Sequence, residues 1–186
     1  HIRNRFEYNP LKLLAKLVPG SFNFNQMPSG QANIYVGMLM MFGLGLYVLN
    51  HHINLRQRIL ALLITIFFIL SFCYEPLDLL WHIGQFPVWY PSRFSFIFCF
   101  WTILLAATCL QKDFQPEKWQ LATLLIITLA IFAYVETLTV SYINNSQKLI
   151  GLGIAIISII FLAIPHAASP NLNNLLLVLI TVCDVS

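Results

Sequence analysis

The sequence predicts an all-α integral membrane protein, with about six transmembrane helices joined by short loops and one or two helices lying at the interface. Composition comes first: 59% of the residues are apolar and only 9% are charged, with a mean hydropathy of +0.77. A soluble domain carries about a quarter charged residues, and a water-soluble core of this size could not enclose so much apolar surface. Second, the apolar residues fall into long runs close to the about 20 residues that a helix needs to cross a bilayer core. Third, residues 89–98, Trp-Tyr-Pro-Ser-Arg-Phe-Ser-Phe-Ile-Phe, set an arginine among aromatics between two such runs, where a chain would re-enter a membrane. The net charge of +3 is small and dispersed, which argues against a nucleic-acid partner.

Residues 1–32 are expected to form an extracytoplasmic loop with a short amphipathic helix at 10–18. There Leu11, Leu14, Ala15 and Val18 share one face, while Lys12 and Lys16 share another, turned to water or to anionic lipid. Residues 20–32 read as a polar, turn-rich loop broken at Pro28-Ser29-Gly30. Residues 33–186 form the polytopic region, with candidate spans at 33–50, 58–74, 92–110, 119–137, 148–165 and 172–185. Phe94, Phe96, Phe98 and Phe100 alternate with other residues as in a strand. The apolar run continues to Leu110, however, and an open sheet edge cannot sit in lipid, so helix is predicted. Between the second and third spans, Glu75 followed by Pro76 fits a helix start. Residues 77–82 would then form a second short interfacial helix. The first residue is His1, and the last apolar run reaches Ser186 without an end signal, so the chain is expected to be a piece of a longer membrane protein. Cys73, Cys99, Cys109 and Cys183 form no Cys-x-x-Cys pair and read as small apolar side chains.

Orientation follows from the loops. Residues 51–58 carry Arg56 and Arg58, and residues 111–118 carry Lys112 and Lys118. The loops at 75–91 and 136–147 are acidic or neutral. Positive-inside counting puts the first pair in the cytoplasm. Arg3, Arg5, Lys12 and Lys16 in the first segment pull the other way, but the short loops between spans weigh more. The exposed pair His51-His52 then lies in a cytoplasmic turn. Glu75, Asp78, Glu136 and Asp184 map to the outer side; Glu136 and Asp184 stand at span ends, where they would reach the headgroups.

Candidate chemistry concentrates at residues 75–93. Glu75, Asp78 and His82 fall at i, i+3 and i+7 on one helix face. Asp78 and His82, four apart, could share a proton or a metal. No further ligand completes a metal set, so no cofactor is identified and a divalent metal stays open. Glu75 and Asp78 are the candidate catalytic bases. Trp81, Phe86, Trp89 and Tyr90 form an aromatic belt, in which Trp81 and Tyr90, with His82, would contact substrate. Arg93 stands at the positive end of a helix dipole and calls for an anion: either a carboxylate of the same loop or the phosphate of a lipid carrier.

Gly20-Ser-Phe-Asn-Phe-Asn-Gln-Met-Pro-Ser-Gly30, then Asn33-Ile-Tyr-Val-Gly37, Leu79-Leu-Trp-His82, Phe86-Pro87 and Pro91-Ser-Arg-Phe-Ser-Phe96 together resemble the bacterial YfhO family of membrane proteins. The likeness runs from Pro10 to about Leu110. It departs at Ala32, where the family usually has proline, and at Ser92, where it has an aromatic. The resemblance implies a multi-span protein of the GT-C glycosyltransferase type in the bacterial plasma membrane. Such a protein takes a sugar from a polyprenyl-phosphate carrier and attaches it, outside the cell, to an envelope polymer such as lipoteichoic acid. It also implies that the main acidic catalytic loop precedes His1, leaving part of the carrier or acceptor surface here. The alternatives from other classes are a lipid-linked sugar transporter or flippase component, which needs polar groups at the span centres, and a non-catalytic membrane scaffold.

Overall fold

A computed structural model describes residues 4–22, 24, 31–85, 92–110, 115–164 and 184. Among them every regular element is helical: a 3₁₀ helix Pro10–Leu17, then α1 (Met38–Leu49), α2 (Leu55–Cys73), α3 (Glu75–Trp81), α4 (Ser95–Cys109), α5 (Lys118–Thr137) and α6 (Asn145–Ala163). Three helices, α2, α5 and α6, are long and apolar enough to cross a membrane, while α1 and α4 are shorter apolar helices. Among the described residues, three of the six expected crossings are helices of spanning length, and the first and third fall on the shorter helices α1 and α4. The sixth expected span lies outside the described residues except for Asp184.

The short helices have local causes. Residues 33–37 stay extended and end at Gly37, whose φ is +92°. With 12 residues, α1 is about 18 Å long. It packs at the centre of the bundle, against α4, α5 and α6. A Cβ on Gly43 would lie 2.4 Å from Ala106 Cβ, so α1 and α4 approach as closely as small residues allow. At the N-cap of α4 Phe94, and within the helix Phe98, are buried, while Phe96 and Phe100 are exposed. The alternation therefore resolves into two helix faces, as the lipid argument required. Burial of α2, α5 and α6 is only 28%, 28% and 33%, leaving apolar faces that belong against lipid.

Helix starts follow polar caps. Asn54 accepts from Arg56 N, and Glu117/Gln120 and Asn144/Gln147 form reciprocal capping boxes for α5 and α6. At the C-terminal end of α1, Arg58 Nε donates to Val48 O at 2.6 Å, a cation on the negative end of the helix.

The connections gather at two ends. The α1–α2 turn meets the start of α5, where Gln120 donates to Leu49 O and His51 pairs with Glu117. At the other end the N-terminal segment meets the α2–α3 junction and the start of α6, with Gln147 donating to Gly20 O. The two loops predicted to share a side on charge therefore share an end.

Two surface expectations are corrected, those for Lys16 and Asp184. Lys16, expected on a solvated face, is buried, because a 3₁₀ helix repeats every three residues and aligns it with buried Leu13. Its amine donates to Ser21 O at 2.9 Å and lies 4.1 Å from the Tyr142 ring, and burial pushes it down to about 8. Glu136, at the end of α5, keeps an exposed side chain, which pairs with buried Lys148 at 3.1 Å. Asp184, expected at the headgroups, is buried and accepts from Met38 N and Tyr35 OH at the head of α1. Gly37 leaves room for it: a Cβ there would sit 2.8 Å from the carboxylate.

Candidate functional site

The outer-loop residues converge on α3. Pro76 stands in its first turn, where a missing N–H leaves no helical bond unmade. Residues 5–8 lie across the α2–α3 junction, with Glu7 N donating to Cys73 O at 2.9 Å, Glu75 N donating to Arg5 O at 3.2 Å, and Phe6 bridging Tyr74. This fastens an acidic pair to a cation: Arg5 Nε contacts Glu75 Oε2 at 2.9 Å, and the Glu75 side chain is almost wholly buried. Burial, then Glu75, raises the Glu7 carboxyl, while Arg5 opposes them.

Asp78 and His82 come together as the four-residue spacing predicts. His82 Nδ1 lies 2.9 Å from Asp78 O and 3.7 Å from Asp78 Oδ2. A carbonyl only accepts, so Nδ1 carries the proton of that bond, and Nε2 is the acceptor of the neutral ring. Burial pushes the Asp78 carboxyl up to about 6; His82 lowers it and Glu7 adds to the rise.

Asp78 Oδ1, Trp81 Nε1 and His82 Nε2 are buried without a hydrogen-bond partner. They occupy i, i+3 and i+4 of one turn, hence one face. Two acceptors and a donor match a hydroxyl-bearing ligand, since a hydroxyl both donates and accepts. Each unmet buried group costs roughly 1–3 kcal/mol, and such groups concentrate where a fold serves something besides stability.

Trp81 is not simply a belt residue. It stacks on Phe94 with centroids 4.8 Å apart and planes 7° from parallel, and on Phe68 at 5.9 Å. Phe94 also stacks on Phe72 and contacts the His82 ring. This aromatic packing brings the turn ahead of α4 against α3. Arg93 stands exposed in that turn, two residues before the helix. Phe86, Trp89 and Tyr90 lie outside the described residues.

The structure thus joins Glu75, Asp78 and Trp81 on one short helix with His82 at its C-cap, and Arg93 on the adjoining turn. Sequence reasoning missed Arg5 and Glu7. Their only signal is charge in a segment far from the site along the chain. Between α1, α2 and α5 lies a cavity of about 340 Å³, lined by Met38, Phe42, Leu62, Leu124 and Ile131 among other mostly apolar side chains.

The sequence model of one family, described as bacterial membrane protein YfhO, matches residues 1–186. The match extends well past the stretch whose motifs carried the resemblance. No curated protein and no solved structure matches the chain.

Proposed function

Because the chain belongs to the YfhO family of bacterial membrane proteins, we propose that it forms part of a membrane glycosyltransferase whose working face is extracytoplasmic. The donor is a sugar on a polyprenyl-phosphate carrier, and the acceptor is an envelope polymer such as lipoteichoic acid. The observation that carries this reading is the Asp78–Trp81–His82 face, whose three unpartnered polar atoms fit sugar hydroxyls.

In this reading Asp78 is the general base. A carboxyl near 6 is ionised at neutral pH yet basic enough to accept a proton from an attacking hydroxyl. His82 and Trp81 orient the sugar, while Glu75, held by Arg5, keeps α3 in place and adds negative field. Arg93 grips the carrier phosphate through its planar fork. The apolar cavity beside α1 suits a hydrocarbon chain. Positive-inside counting turns this end outward, towards the polymer and away from cytosolic nucleotide sugars.

The test is transfer in membranes carrying the full-length parent protein. Asp78→Asn should abolish sugar transfer while insertion and abundance stay normal. In the wild type, transfer should rise as pH passes upward through about 6. Normal transfer by a stably inserted Asp78→Asn protein would overturn the assignment.

A further inference from the structure

We propose that His51, His52 and Glu117 form a divalent transition-metal site that clips the α1–α2 turn to the head of α5. It lies at the opposite end of the bundle from Asp78 and does not depend on the sugar-transfer reading. Each of the three residues offers one ligand atom, and these atoms all lie within 4.8 Å of one another. His51 Nε2 and Glu117 Oε1 are 3.1 Å apart. For a tetrahedral ion with ligands at about 2.0–2.1 Å, neighbouring ligand atoms are about 3.3 Å apart, so this edge is nearly formed. His52 is exposed and free to turn its ring inward; its own ring lies 4.7 Å from that of His51.

The donors sit on a braced frame. Trp119 Nε1 donates to Glu117 Oε2 at 2.6 Å, which leaves Oε1 turned to His51. The Gln120 side chain accepts from Glu117 N and donates to Leu49 O, fixing the head of α5 against the end of α1. Asn50 Oδ1 accepts from His52 N at 2.9 Å, setting the backbone of the turn. The His51 ring also stacks over Trp119. Supporting contacts of this kind orient ligands in metal sites. An exposed ion pair alone contributes little and calls for no such bracing. Two imidazoles and one carboxylate select zinc-like ions, with copper binding tighter still, over calcium or magnesium, which take oxygen ligands. The fourth position is left to water. Lys118 beside Glu117 opposes the cation's charge, so the affinity expected is moderate.

The experiment is calorimetric titration of the metal-stripped chain, purified in detergent, with Zn²⁺ alone. The wild type should bind one equivalent. His51→Ala/His52→Ala should weaken binding by at least about tenfold, the scale on which ligand and support losses act. Glu117→Gln keeps an acceptor for Trp119 but loses the charge, and it should weaken binding as well while the helical circular dichroism stays unchanged. Absence of stoichiometric binding to the wild type would overturn the proposal. So would undiminished binding by either variant.

Discussion

Replacing Asp78 with asparagine should separate chemistry from stability. Its carboxyl is raised from 3.8 to about 6, first by burial, so the folded state holds the proton more tightly than the unfolded state. Between those values stability falls as pH rises, and above about 6 the whole penalty is present. At 1.36 kcal/mol for each unit between the two values, the penalty is at most about 3 kcal/mol. Asp78→Asn should therefore raise the melting temperature at pH 7–8 while transfer is lost, and the two melting curves should approach each other near pH 4. Arg93 gives the complementary prediction. Arg93→Ala should reduce transfer about tenfold to a hundredfold, as loss of a charge-assisted bond of roughly 1.5–3 kcal/mol requires. Arg93→Lys should recover part of it, retaining charge without the fork. Transfer rates of the two purified variants check this. The Asp78–His82 pairing was legible because four-residue spacing on a helix is local. Arg5–Glu75 spans 70 positions and was not, since only the fold brings the two together. Lys16 was misread because the face was counted with α-helical rather than 3₁₀ spacing.

Among the elements, α3 carries the most strain for its length. Its start was legible from Glu75-Pro76, but its end is displaced by one residue from what Gly84 advertises. Gly84 N donates to Leu79 O and Ile83 N to Leu80 O, the paired bonds of a Schellman ending. The left-handed position that usually takes glycine is filled by Ile83, at φ 55° and 94% exposed. A β-branched residue there is strained by roughly 1–2 kcal/mol. Ile83→Gly should relieve that strain and stabilise the protein by about 1 kcal/mol after the unfolded chain's extra freedom is counted. Thermal unfolding in detergent measures it, and an unchanged or lowered melting temperature would mean that the exposed isoleucine is anchored by contacts of its own. The capping boxes of α5 and α6 were readable as Glu117-Lys-Trp-Gln120 and Asn144-Asn-Ser-Gln147, although hydropathy alone placed those starts one to three residues late. The shortness of α1 was not readable, because apolar residues 33–37 match a helix in composition. Only the Gly37 turn and the Asp184 carboxylate fix its beginning at Met38.

At the scale of the whole molecule, apolar runs and loop charges established the helical bundle and the grouping of its ends. Lipid as solvent leaves helices few alternatives. The crossing number was less legible, since helix length depends on local breaks that hydropathy averages away. The functional reading requires one global property: that the acid–histidine end face out and the basic end face in. Single cysteines at Gln85 and Asn145 probe the first end, and at Gln57 and Gln115 the second; all four positions are exposed. In intact cells an impermeant thiol reagent should label the first two and spare the second two, with the chain lacking an introduced cysteine giving the background. Labelling at Gln57 and Gln115 with protection at Gln85 and Asn145 would contradict the account, because it would turn Asp78 and its partners towards the cytosol.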